Sequence, residues 1–319
     1  MKESFRWGKD NNSVVFSAPF FNEIFLQGDI MAEIKDFNCT YDNSAGIHEE
    51  VTAGLGLVFP DAYLHAESMA VLALALKRHD GAAFCELPFC HTVEAEAMGG
   101  VINYGNEKAG PRAKEYICSS AEELLKLPEI DFTKGRICEV LKACRILREQ
   151  GEHVVLQVSG PFTILNALID PRHVFKAMRK RPELMKEVFF KLGEEIFRFV
   201  EEAKKCGVEL ISYADSSGGV NILGPKMAQQ VVEDFTYHFL KRIEGAADSG
   251  TIILLCPKTT FALLGTEKAE LEDMELPGPV YYGEACIHMI GKARFAGQMC
   301  IKNVGYRLEN GMFKAVVLR

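Results

Sequence analysis

The sequence predicts an α/β fold built as one closed (β/α)8 (TIM) barrel, and three observations predict it. Short runs rich in Val, Ile, Tyr and Phe recur along the chain, separated by longer segments of helical pattern. These runs are almost continuously apolar, as in parallel strands buried on both faces. No linker, repeat or low-complexity segment divides the 319 residues, so a single domain over 1–319 is expected.

The elements follow in order. Val14–Pro19 is the first run. Residues 20–63 are long and mixed, as are 99–127; in a barrel such stretches are loops over the C-terminal face, where active sites sit. Asp61 can cap a helix running toward Arg78, and Ala82–Phe89 is the second strand. Ser120 and Glu123 have capping-box spacing ahead of Leu124-Leu125. His153–Pro161 is the third strand. Pro182 suits the first turn of a helix ending near Cys206, with Gly207 just beyond it. Leu210–Asp215 is the fourth strand, and Pro225 opens a helix through Arg242. Thr251–Cys256, Val280–Cys286, Arg294–Cys300 and Ala315–Leu318 complete the set of eight. The rival is a doubly wound open sheet. Its glycine-rich first turn is missing, because Pro19-Phe20-Phe21-Asn22 follows the first run.

Composition bounds the function. Apolar residues make up 48% and charged residues 25%, enough for a large core. Net charge is −8 and no basic run stands out, which argues against a nucleic-acid partner. The longest apolar stretches are strand-length or carry charges, so no membrane span is expected. The 10 cysteines follow a start, Met1-Lys2-Glu3-Ser4-Phe5-Arg6-Trp7, that lacks a secretory pattern. Reduced thiols in a cytoplasmic protein are expected, most of them core-filling and one or two free to bind metal.

Several stretches resemble the uroporphyrinogen-decarboxylase superfamily, especially its corrinoid-dependent methyltransferases. Phe59-Pro60-Asp61-Ala62-Tyr63 with Ala66-Glu67-Ser68-Met69-Ala70 is similar to the segment after the family's first strand. Leu87-Pro88-Phe89-Cys90-His91-Thr92-Val93-Glu94-Ala95-Glu96-Ala97-Met98-Gly99 is the nearest match. Ser159-Gly160-Pro161-Phe162-Thr163 resembles the third-strand turn, and Asp215-Ser216-Ser217 stands where the family has an Asp. The departures point away from porphyrin decarboxylation. Cys90 occupies the decarboxylases' Asp position and Ala167 their Tyr position, and their amino-terminal Arg-Gln-Ala-Gly-Arg segment has no counterpart. Stabilising a cationic pyrrole needs such groups.

The resemblance implies zinc. The methyltransferases' usual ligands are His-x-Cys at the fifth strand end and a later Cys. Here the strand reads Ile252-Ile253-Leu254-Leu255-Cys256-Pro257, so Cys256 matches while Leu254 stands in the histidine's place. Some family members that demethylate aryl methyl ethers use an Asp and two cysteines, and Asp215, Cys256 and Cys300 have that form. Zinc with three protein ligands keeps an open position. Glu284 and Cys286 are reserve ligands. The bland alternatives are packed cysteines and an Asp215 that caps a helix.

The expected activity is methyl transfer between a corrinoid protein and a small methyl ether, methylamine or thiol. The broken His-x-Cys motif tips the direction toward the methyl donor. The corrinoid is expected on a separate partner, since no Asp-x-His-x-x-Gly motif is visible. His91 and Glu94 are candidates for substrate binding or proton transfer. Tyr104 and Phe20–Asn22 are candidates for pocket shape, and His238 for an ordinary helix position. The alternatives are a decarboxylase-like enzyme on another substrate and a non-catalytic barrel that binds a partner.

Overall fold

The computed structural model describes residues 36, 37, 39, 46–246 and 250–319. They fall in one compact unit, Ala32–Arg319. The first expected strand, Val14–Pro19, and the Phe20–Asn22 turn lie outside the described residues.

The described strands are β1 (Cys85–Leu87), β2 (Val154–Ser159), β3 (Leu210–Ala214), β4 (Ile252–Leu255), β5 (Ala269–Glu275), β6 (Phe295–Ala296) and β7 (Met312–Leu318), apart from two short antiparallel ribbons. They form one sheet in the order β1-β2-β3-β4-β6-β7-β5. The run from β1 to β6 is parallel. β7 is antiparallel to both β6 and β5. Every residue of β2 and β4 is buried, which is why these strands read as unbroken apolar runs.

Helices pack outside the parallel strands. The longest, Pro182–Lys205, starts on proline and ends before Gly207, whose φ of +79° suits a residue without a Cβ. It buries Met185, Val188, Phe189, Leu192, Ile196, Phe199 and Ala203, the three-to-four spacing of one helical face. Each large side chain buried this way stabilises the fold by about 1.5–3 kcal/mol. The helix expected from Pro225 is present, with a π turn at Val232–Thr236.

The C-terminal third departs from the expected strands. Val280–Cys286 is a strand only at Val280–Tyr281; Tyr282–His288 is a helix. Glu284 accepts from the Tyr281 N–H at 3.3 Å and so caps that helix. Arg294–Cys300 is a strand only at Phe295–Ala296. β5 was not expected. Its sequence alternates buried or half-buried residues with exposed acids, the signature of a one-sided antiparallel strand and not of a doubly buried parallel one. No helix among the described residues is long and apolar enough to cross a membrane.

Candidate active site

Parallel register brings side chains from different strands into rows. Gln157 of β2 pairs with Ser212 of β3, Ser212 with Leu254 of β4, and Leu254 with Ala296 of β6. Gln157, Ser212 and Leu254 all face one cavity of about 40 Å³, room for a bound water or ion. At the strand ends this cavity is closed by His91 after β1, Ala214 at the tip of β3 and Ser216 beyond it, Cys256 after β4, and Cys300, Ile301 and Lys302 after β6. Leu255 and Cys39 complete the lining. All of these enclose the carboxyl ends of parallel strands, where α/β folds place their chemistry.

The two thiols expected to act together do share this cavity. Cys256 is fixed at the tip of β4, where its N–H donates to the Tyr213 carbonyl at 3.0 Å, and it precedes the helix Pro257–Gly265. Burial pushes its thiol up to about 11; backbone bonding near Lys258 opposes this, and the neighbouring Cys39 and Asp215 add to it. Burial likewise pushes Cys300 up to about 12, with Cys256 and Cys39 adding their charge. Both are therefore neutral thiols at pH 7 until a cation draws their protons off. None of the cysteines is in a disulfide.

His91 faces the same space. Its Nδ1 is buried and has no hydrogen-bond partner among the described residues. Burial, helped by the charge of Lys302, pulls its pKa down to about 3, so the imidazole is neutral at pH 7. The side-chain nitrogen of Gln157 is also buried and unpartnered. Such groups are costly to leave unsatisfied, by about 1–3 kcal/mol each, and both belong to residues that line this cavity.

Asp215 has other partners. One carboxylate oxygen accepts from the Thr163 N–H at 2.8 Å and from the Thr163 hydroxyl at 3.0 Å. The other faces the Phe162 N–H at 3.4 Å. Asp215 thus caps the helix Pro161–Leu168 that follows β2, and not the helix after its own strand. Gly160 makes the approach possible: a Cβ there would lie 2.3 Å from the Asp215 Cβ. Burial raises the Asp215 carboxyl to about 6, against the three donors that lower it. The expected triplet of Asp215, Cys256 and Cys300 is therefore not assembled. Among the described residues no three His, Cys, Asp or Glu side chains stand in an arrangement ready to hold a metal ion.

Glu94 is also structural in its contacts. Its carboxylate accepts from the Ser159 N–H at 2.6 Å and the Ser159 hydroxyl at 3.0 Å, tying the start of the helix Val93–Ala97 to the end of β2. Burial raises its pKa. Cys90 sits beside the cavity and not in it. It receives a hydrogen bond from Arg136 Nη1 at 3.1 Å, while Arg136 also binds Thr92 and Glu96. Tyr104 bonds Glu96 at 2.7 Å, which orders this network. The reserve residues Glu284 and Cys286 belong to the Tyr282–His288 helix, with Cys286 in the core and Glu284 its cap. His238 is exposed on the helix Tyr237–Ala246.

Sequence reasoning missed Cys39, Gln157 and Lys302. Cys39 stands in the long mixed stretch that carried no periodicity. Gln157 was hidden inside an apolar run, where a polar residue on a buried strand is itself the signal. Lys302 ion-pairs with Glu86 of β1 at 2.8 Å.

Comparison with known proteins follows this geometry. Residues 47–274 match the family described as uroporphyrinogen decarboxylase (URO-D). The methylcobamide:CoM methyltransferase MtaA of Methanosarcina barkeri is 25% identical over 254 residues, which cover 78% of this chain and 74% of that protein. The methylcobamide:CoM methyltransferase MtbA of Methanosarcina acetivorans is 25% identical over 214 residues, covering 65% of this chain and 62% of its own, so less than two thirds of that relative is spanned. A solved methyltransferase from Methanosarcina mazei matches with a TM-score of 0.58 at 24% identity, over 72% of this chain and 68% of that one. The expected fold class, a URO-D-like α/β barrel, stands on these matches, while the strand list of its C-terminal third does not.

Proposed function

The chain belongs to the uroporphyrinogen decarboxylase (URO-D) family, and on that premise we propose that it is a corrinoid-dependent methyltransferase. It moves a methyl group between a corrinoid held by a separate protein and a small thiol, in the cavity at the strand ends. The names of its relatives support corrinoid-dependent transfer and the thiol direction. The observation that carries the reading is one cavity lined by Cys256, Cys300 and His91, a histidine whose Nδ1 is buried without a partner among the described residues.

The donor types, but not their present spacing, suit zinc: no three of them stand ready to hold a metal ion among the described residues. Two thiols and a neutral imidazole nitrogen are borderline-soft ligands of the kind zinc selects. Cys256 and Cys300 would hold it, and His91 would supply the nitrogen that Leu254 does not. Asp215 is left to the helix it caps. When bound, zinc supplies Lewis acidity that lowers the pKa of a thiol acceptor or polarises a methyl ether oxygen.

The chain's own residues do the rest. Cys256 is anchored by the β3–β4 ladder, so it holds its position without reorganising. The Gln157 amide donates to a polar substrate group at the cavity floor, and Leu254 and Leu255 keep one wall dry. Lys302, ion-paired with Glu86 at 2.8 Å, closes the cavity on the β1 side. Burial of His91 keeps it from protonating at neutral pH, so its lone pair stays available. The cytoplasmic setting rests on the cysteines, none of which forms a disulfide.

The opposite direction, from a methyl ether or methylamine to the corrinoid, is favoured by one observation, the apolar Leu254 at the position of the usual histidine. Anaerobic assays separate the readings. Methylcobalamin with coenzyme M should lose its methyl absorbance, and about one zinc per chain should be present. Cys256→Ser should lower both zinc content and rate at least about 100-fold. Methylcobalamin formed from cob(I)alamin and a methyl ether would reverse the direction. No metal and no transfer in either direction, with the fold intact, would leave a non-catalytic barrel or a decarboxylase-like enzyme.

A further inference from the structure

We propose that this chain pairs with a second copy of itself across an outer groove between the helix Pro182–Lys205 and the helical run 232–246, with Phe190 at the centre of the contact. The proposal depends on nothing in the cavity at the strand ends.

The groove encloses about 690 Å³. Lys186, Phe190 and Glu194 line one side at four-residue spacing, and Asp234, His238 and Arg242 line the other in the same way, so each side is a single helical face. The floor is aromatic. The rings of Phe235 and Phe239 stack there with centroids 5.2 Å apart. Phe235 reaches it because Gly193 has no side chain; a Cβ there would lie 2.9 Å from the ring. Phe190 stands on the lip and is 68% exposed, while Phe189 and Leu192 of the same helix face the core. An exposed aromatic beside an apolar groove, inside a charged rim, is the anatomy of a protein interface.

The charges say which partner fits. Lys186 pairs with Asp234 at 3.6 Å at one end, and Arg242 grips Glu194 at the other. Each end therefore holds one acid and one base, and each helix carries opposite signs eight residues apart, about 12 Å. A two-fold axis across the groove lays the helix Pro182–Lys205 antiparallel to its copy. Lys186 then faces Glu194 of the partner subunit, Asp234 faces Arg242 of the partner subunit, and Phe190, midway, faces its own counterpart. A two-fold contact requires a patch complementary to itself in this sense. A partner of one charge sign would be matched by only half of each pair.

Sedimentation velocity of the full chain from about 1 to about 100 µM should show a reversible dimer. Phe190→Asp should raise the dimer Kd at least about 100-fold with an unchanged thermal midpoint, since the ring is exposed in the single chain. Lys186→Glu and Glu194→Lys should each weaken self-association. An equimolar mixture of these two variants should recover it, because each altered position then meets its opposite charge. Three results overturn the proposal: a wild type that stays monomeric throughout, as it would if the groove served a different partner; a dimer as tight in Phe190→Asp; or a mixture no tighter than either charge variant alone.

Discussion

Replacing Asp215 tests whether this buried carboxylate caps a helix or binds metal. Asp215→Ala strips the acceptor from the Thr163 N–H and hydroxyl and from the weaker Phe162 contact. Thr163 and Phe162 are both buried, so water does not compensate. Losing a charged cap and orphaning its donors costs about 3 kcal/mol. Unfolding entropy of about 2.1 cal/mol/K per residue over 319 residues converts this to a Tm lower by about 5 °C. Asp215→Asn keeps an oxygen for Thr163 and should stay within about 1 kcal/mol of wild type at pH 7.

The same pair has a distinct pH signature. Asp215 titrates near 6 in the fold against an ordinary 3.8, so the native state holds this proton more tightly. Its contribution to stability grows as pH falls from about 6 toward 4, by on the order of 2–3 kcal/mol, and is absent in Asp215→Asn. Urea denaturation of both proteins between pH 7 and pH 4, with metal content measured alongside, checks each figure. If Asp215→Asn loses its metal while Asp215→Ala unfolds no more readily than wild type, the capping argument is wrong and the ligand role returns.

Three further outcomes are expected. Glu94→Ala removes the clasp on Ser159 and should cost about 2–4 kcal/mol in urea unfolding, whereas Glu94→Gln should keep most methyl transfer, which a proton-transfer role would forbid. His91→Ala should lose zinc affinity and be less stable than wild type at pH 8. That stability gap should narrow as pH falls from 6.5 toward 4, because only the wild type must keep a buried imidazole neutral; a gap independent of pH in chemical denaturation would contradict this. Leu254→His puts an imidazole into the cavity two residues before Cys256 and should tighten zinc at least about tenfold in competition with a chelator; unchanged affinity would refute a metal site there.

The parallel half of the fold was legible because its strands are buried on both faces, and Val154–Ser159 and Ile252–Leu255 announce that by composition alone. The end of the sheet was not, because Ala269–Glu275 exposes one face and carries acids there, while Tyr282–His288 is an apolar helix short enough to imitate a strand. In the site, Cys256 and Cys300 were legible as thiols at strand ends. Asp215 misled because a carboxylate at a strand end suits a metal and a neighbouring helix equally, and only the packing of Gly160 against it decides. The place of Cys39 depends on long-range docking through Asp36 and Phe37, which leaves no periodic trace in a sequence.

The last strand of the described sheet, Ala269–Glu275, sets Glu270, Glu272, Asp273 and Glu275 on its exposed positions. Arg319 and Lys314 of the same chain neutralise two of them. Two such borders brought side by side would oppose carboxylate to carboxylate at the ~4.8 Å spacing of neighbouring strands. The molecule thereby repels its own likeness along this border of the described sheet, where backbone pairing would otherwise invite stacking.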